Sequence, residues 1–122
     1  MSNKLILLVD DSNSVRQSVG LVLEQAGFSV IQASDGVEAQ KKMDSQHVDM
    51  VITDINMPHM DGIELTKVIR SSSGHRFTPV LMLTTESQES KMAEGKAAGA
   101  TGWIVKPFDP DKLIAAVNKL LG

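Results

Sequence analysis

The sequence predicts an α/β domain of (βα)5 form, with five parallel strands in one sheet and helices packed on both faces. Short apolar runs of strand length recur along the chain, and segments of helical period separate them. Chemistry-bearing polar residues also stand directly after four of the five runs. Strict alternation with short connections implies a parallel sheet with right-handed crossovers.

The strand candidates are Lys4–Val9, Ser29–Gln32, Met50–Thr53, Val80–Leu83 and Trp103–Val105. The first, third and fourth are almost continuously apolar, as strands covered on both faces are. Between the first two, Val15, Val19, Val22, Leu23 and Ala26 form a stripe along one face of a helix, and Gly27 stands where a C-terminal glycine belongs. Gly36–Met43 and Ile63–Arg70 read as the second and third helices. The fourth, near Ser87–Ala98, is polar and carries Gly95, which costs about 1 kcal/mol against Ala in a helix interior. Leu113, Val117, Leu120 and Leu121 mark the fifth.

Composition bounds the rest. A chain of 122 residues with 42% hydrophobic residues has the size and apolar content of one core-forming domain, spanning 1–122. With three Phe, one Trp and no Tyr, aliphatic residues and seven Met must fill that core. The absence of cysteine excludes a disulfide scaffold and thiolate metal sites, and it is compatible with a reducing cytoplasm. The run Leu5–Val9 is too short for a signal-peptide core or a membrane span. A net charge of −3 with scattered lysines offers no basic stripe, so neither nucleic acid nor membrane is an expected partner. No large exposed apolar stripe is legible, and a monomer is expected.

In an open parallel sheet, ligands bind at the carboxyl ends of the strands. Asp10 and Asp11 follow the first run, Asp54 and Asn56 the third, Thr84 and Thr85 the fourth, and Lys106 the fifth. Carboxylates, hydroxyls and an ammonium therefore converge on one edge. Three adjacent carboxylates repel, and a hard divalent cation removes that repulsion. Mg²⁺ takes a few such oxygens, keeps several waters, and binds phosphate with what remains. Asp10, Asp11 and Asp54 suit that role, with the Asn56 backbone carbonyl as a further candidate ligand. Asp54 can act as a nucleophile toward an activated phosphoryl donor, with Lys106 and Thr84 neutralising the equatorial oxygens. Pro107 holds Lys106 extended, aimed along the strand, and the Lys106–Pro107 bond is a candidate cis peptide.

With Asp10-Asp11, Asp54 inside the run Thr53–Gly62 (TDINMPHMDG), Thr84, and Lys106-Pro107-Phe108, the chain resembles response-regulator receiver domains of two-component systems over essentially its whole length. It further resembles the single-domain chemotaxis (CheY-type) regulators, with no effector domain after the fifth helix. The resemblance implies a flavodoxin-like sheet of order 2-1-3-4-5, Asp54 as phosphoacceptor, and a Mg²⁺ cofactor held by Asp10, Asp11, Asp54 and the Asn56 carbonyl. It makes Thr84 the switch hydroxyl, Lys106 the phosphate-contacting cation and Trp103 the switching aromatic. Asn56 and Glu86 occupy the positions that tune phosphoryl loss, and this polar pair implies a short-lived phosphoryl state. A sensor histidine kinase is the implied phosphodonor, and a downstream protein such as a flagellar motor switch component is the implied target of a helix 4–strand 5–helix 5 face. The implied chemistry is self-phosphorylation and self-dephosphorylation rather than turnover of a separate substrate, in the cytoplasm.

Other functions fit less well. Haloacid-dehalogenase phosphatases also use Mg²⁺ and a nucleophilic Asp, but they resemble one another in a D-x-D motif after the first strand. A flavodoxin-like flavin carrier needs a Ser/Thr/Gly-rich phosphate loop where Asp10-Asp11-Ser12 stand. A degenerate receiver serving only as a docking module, or a phosphate sink, remains the binding-class alternative. Among plainer roles, Asp11, Ser12 or Asn13 caps the first helix, Asp61-Gly62 is a turn pair, and His47, His59 and His75 are surface residues without ligand spacing.

Overall fold

In the central strands nearly every side chain is apolar, and both faces are covered. The computed structural model describes residues 4–85 and 89–121. Its elements alternate without exception: β1 Leu5–Val9, α1 Asn13–Gln25, β2 Ser29–Ala33, α2 Gly36–Ser45, β3 Met50–Asp54, α3 Gly62–Ser71, β4 Val80–Thr84, α4 Glu89–Ala98, β5 Gly102–Val105 and α5 Pro110–Leu121. The strands form one parallel sheet in the order β2-β1-β3-β4-β5, which confirms the expected topology. No helix among the described residues is long and apolar enough to cross a membrane.

Successive strand side chains point to opposite faces, and the core divides accordingly. Ile6, Leu8, Met50, Ile52, Leu81 and Leu83 meet α1 and α5 through Val19, Leu23, Leu113 and Val117. Leu7, Val9, Val51 and Val80 meet α2 and α3 through Ala39, Met43, Leu65 and Ile69. A smaller cluster of Ile55, Ile63 and Met82, with Ala98, Ala100 and Trp103 against it, lies beneath α4.

Local signals set the helix ends. Ser12 is the N-cap of α1, its hydroxyl accepting from Val15 N at 3.3 Å. Gly27, at φ 98°, follows the C-cap Ala26 in the left-handed geometry that glycine tolerates. Asp61 does more than turn the chain, because it and Glu64 close a capping box at the start of α3. The Lys106–Pro107 bond is cis.

Three expectations change. β3 and β4 each run one residue further than their apolar stretches, so Asp54 and Thr84 are the last strand residues rather than the first loop residues. Backbone pairing, Asp54 with Leu83 and Thr84 with Val105, holds them there whatever their side chains prefer. His75 is not a surface residue: it is 6% exposed and accepts a hydrogen bond from Val48 N at 3.3 Å. Gly95 also has a packing reason, since a Cβ there would lie 2.8 Å from Met82 Sδ, so its helix cost accompanies a close approach of α4 to β4. The expected start of α4 at Ser87 lies outside the described residues.

Candidate functional site

At the carboxyl edge of the sheet, the ends of β1, β3 and β4 and the residue after β5 supply one polar cluster. Asp10, Asp11 and Asp54 each place a carboxylate oxygen within 4.8 Å of the others. Asp10 is 1% exposed and Asp54 9%, whereas Asp11 is exposed. The Asp10 backbone N–H donates to Ala33 O at 3.1 Å, extending the ladder with β2 past the end of β1. Its side chain accepts from Ser12 N at 2.9 Å, so the turn into α1 and the acidic group are one structure. Arg16 in the first turn of α1 donates to the Asp10 carbonyl and, at 3.0 Å, to Asn13 Oδ1. Sequence pattern gave no warning of that arginine, because its partner in the acidic cluster is a main-chain oxygen.

Lys106 reaches back across the sheet to this cluster. Its Nζ lies 3.3 Å from Asp10 Oδ2 and 3.5 Å from Asp54 Oδ1. Asp54 Oδ1 also accepts from Ile55 N at 2.9 Å. Burial pushes the Asp54 carboxyl above its ordinary range, and the neighbouring Asp10 charge pushes it further. Lys106 and the Ile55 N–H oppose the rise without cancelling it. A single lysine thus leaves the pocket short of positive charge.

Thr84 makes the same point with a neutral group. Its hydroxyl oxygen is fully buried and has no hydrogen-bond partner among the described residues. A buried hydroxyl without a partner costs about 1–3 kcal/mol, a cost that a ligand at this edge would relieve. Trp103 is half-buried and stands opposite Met82 in the β4–β5 register, against the cluster beneath α4. Asn56 is exposed in the loop after β3. Glu86 lies outside the described residues. The structure therefore brings together Asp10, Asp11, Asp54 and Lys106 directly, with Thr84 at the end of the adjacent strand.

The loop after Asp54 is fixed by close contacts. Gly62 N donates to Ile55 O at 2.8 Å, and a Cβ at Gly62 would lie 2.2 Å from the Asp54 carbonyl oxygen. Only glycine fits there, so what reads in sequence as an ordinary turn pair is also what lets α3 begin beside the acidic cluster.

Fold and cluster together define a class, and the chain belongs to it: the response regulator receiver domain family model matches residues 6–118. Receiver domains are the phosphoryl-accepting modules of two-component signalling. Within the family, the chain is similar to CheY-type chemotaxis regulators. Chemotaxis protein CheY1 of Helicobacter pylori is 38% identical over 119 residues, 96% of each chain. The structure of chemotaxis response regulator CheY4 of Vibrio cholerae superposes with a TM-score of 0.92 at 47% identity, covering 98% of this chain and 99% of that one. The receiver domain of a sensor histidine kinase from Pseudomonas aeruginosa, described with a magnesium ion coordinated in its active-site cleft, gives 0.89 at 28% identity and covers 99% of each chain. The chain spans only 16% of the V. cholerae autoinducer sensor kinase/phosphatase CqsS, to which it is 40% identical. It spans 49% of the Bacillus subtilis regulator PhoP, at 39% identity.

Proposed function

We propose that the chain is a Mg²⁺-dependent phosphoryl switch whose acceptor is Asp54. The carrying observation is the acidic cluster, with Lys106 on one side of it and, at the end of the next strand, a buried Thr84 hydroxyl that has no partner among the described residues. The donor set fits Mg²⁺: two buried and one exposed carboxylate, all hard oxygen ligands, with a charge deficit that Lys106 alone does not fill. Asp10, Asp11, Asp54 and the Asn56 carbonyl would hold the ion; the magnesium ion in the active-site cleft of the P. aeruginosa relative supports a metal at such a site. When bound, it supplies charge neutralisation to the transferring phosphoryl group.

The chain's own residues do the rest. An Asp54 carboxylate oxygen attacks the phosphorus in line as the bond to the donor's histidine nitrogen, or to an acyl oxygen, breaks and the leaving group departs with its electron pair. Lys106, already 3.5 Å from Asp54 Oδ1, neutralises one equatorial oxygen. The Thr84 hydroxyl, without a partner among the described residues, donates to another. Hydrolysis by water resets the acyl phosphate, with Asn56 and Glu86 governing water access. Movement of Thr84 and Trp103 together carries the change to the α4–β5–α5 face, where α4 has no single apolar side to pin it. A sensor histidine kinase is the donor and a motility or other signalling protein the reader, in the cytoplasm; the similarity to chemotaxis regulators supports this.

The test is direct phosphorylation. Incubation with acetyl phosphate and Mg²⁺ adds one phosphoryl mass to the wild type and none to Asp54→Asn or to a sample stripped of Mg²⁺. Equal labelling of Asp54→Asn would reject Asp54 as the acceptor.

A further inference from the structure

His59, at the tip of the loop between β3 and α3, has φ 68°, the only positive φ of a non-glycine among the described residues. Its Nδ1 lies 2.9 Å from Asp35 Oδ2. Asp35 is itself fixed, since its Oδ1 accepts from Glu38 N at 2.9 Å as the N-cap of α2. The same carboxylate therefore caps a helix with one oxygen and takes the imidazole with the other. Two further contacts join these segments: Gly36 N donates to Met60 O at 3.3 Å, and Met60 lies so close over Gly36 that a Cβ there would meet its side chain at 2.7 Å.

We infer that His59 is a positioning residue for the acceptor loop: its pairing with Asp35 ties residues 55–61 to the start of α2, and the tie tightens when the imidazole is protonated. This rests on the receiver reading above, because the loop it ties carries Asn56, three residues before His59. The base of the loop is fastened by the Gly62–Ile55 hydrogen bond and its far side by the Gly36–Met60 hydrogen bond, so the His59–Asp35 pair adds a side-chain tie at the tip.

Protonation matters for a geometric reason. A neutral imidazole satisfies Asp35 only in the tautomer with hydrogen on Nδ1, and the other tautomer turns a lone pair on the carboxylate. The imidazolium always presents that hydrogen and adds charge to it. Glu38 and Lys41 of α2 line the same cleft with opposite signs. Asp61 and Glu64, at the start of α3, are engaged with each other's backbone in the capping box. Asp35 and Glu38 thus face the ring with negative charge, and Lys41 with positive.

The test compares Mg²⁺ dissociation constants, from amide NMR shifts, for wild type, His59→Gln, Asp35→Asn and the double variant at about pH 5.5 and about pH 8, on either side of the ordinary histidine range. The ratio of each variant to wild type at a given pH removes any pH dependence that the four proteins share. His59→Gln should bind roughly threefold more weakly than wild type at the lower pH, the scale of one exposed ion pair, and nearly equally at the higher. In the Asp35→Asn background, where the asparagine still caps α2, the His59 substitution should make no difference at either pH. A His59→Gln ratio that is the same at both pH values, or that persists in the Asp35→Asn background, would overturn the inference while leaving the receiver reading intact. A wild type showing no saturable Mg²⁺ shift would instead remove the receiver reading, and this inference with it.

Discussion

The two ends of the sheet treat polar groups in different ways. At the amino ends of the strands, side chains accept from the main chain: Asp49 Oδ2 from Leu5 N at 2.8 Å, Thr101 Oγ1 from Val80 N at 3.0 Å, and the buried His75 from Val48 N. Arg70 closes that end, donating from Nε and Nη2 to Gly99 O and from Nη1 to Thr78 O and Arg76 O. At the carboxyl ends, carboxylates crowd one another and a buried hydroxyl has no partner among the described residues. Where the chain needs only structure, its polar groups are satisfied internally. At the carboxyl edge the internal partners of Asp10 and Asp54 leave excess negative charge and the Thr84 hydroxyl over, as the proposed phosphoryl site requires.

The largest effect expected from this contrast is at the satisfied end. Arg70→Ala should cost about 2 kcal/mol in urea unfolding, because several carbonyls lose a charged donor at once. A loss near zero would mean that water replaces the arginine freely and that the two ends are less different than they look.

Next comes Asp54→Asn, with the opposite sign. The folded-state carboxyl is raised, so its contribution to stability is present below the ordinary value of 3.8 and is lost as pH rises through the folded value. At neutral pH without Mg²⁺, the Asn variant should therefore be more stable by on the order of 1 kcal/mol, with the advantage fading toward acid pH. Added Mg²⁺ should raise the melting temperature of the wild type and leave the variant nearly unchanged.

His75 sharpens the comparison through pH. Burial and the stacked His47 ring, 5.5 Å away, lower its proton affinity. A lowered folded value means stability that is present above pH 6.5 and lost as pH falls below it. His75→Gln, which keeps an acceptor for Val48 N, should flatten that acid-side loss in thermal melts across the range. Thr84→Val removes a buried hydroxyl that has no partner among the described residues. The variant should be more stable than wild type by about 1 kcal/mol, while binding of a phosphoryl mimic weakens.

Much of this was legible in the sequence because it depends on composition over short stretches. Continuous apolar runs such as Leu5–Val9 and Val80–Leu83 can belong only to buried segments, and polar residues at their ends point to the carboxyl edge. What stayed hidden depends on contacts between distant segments. Nothing local marks His75 as buried, since its acceptor role exists only once Val48 is folded beside it. Gly95 reads as a helix defect until Met82 is seen against it, and the His59–Asp35 tie joins residues that no periodicity connects. Strand ends were short by one residue at Asp54 and Thr84 because polar side chains hide a backbone that is still paired.

The most direct test of the central claim is fluorine NMR of the protein with Mg²⁺ and beryllofluoride, which mimics an acyl phosphate on a carboxylate, beside Asp54→Asn. A bound fluoride signal that requires Mg²⁺ and disappears with Asp54→Asn is the predicted result. A bound signal unchanged in Asp54→Asn, or none from the wild type at saturating Mg²⁺, would contradict the assignment of this edge as a phosphoryl site.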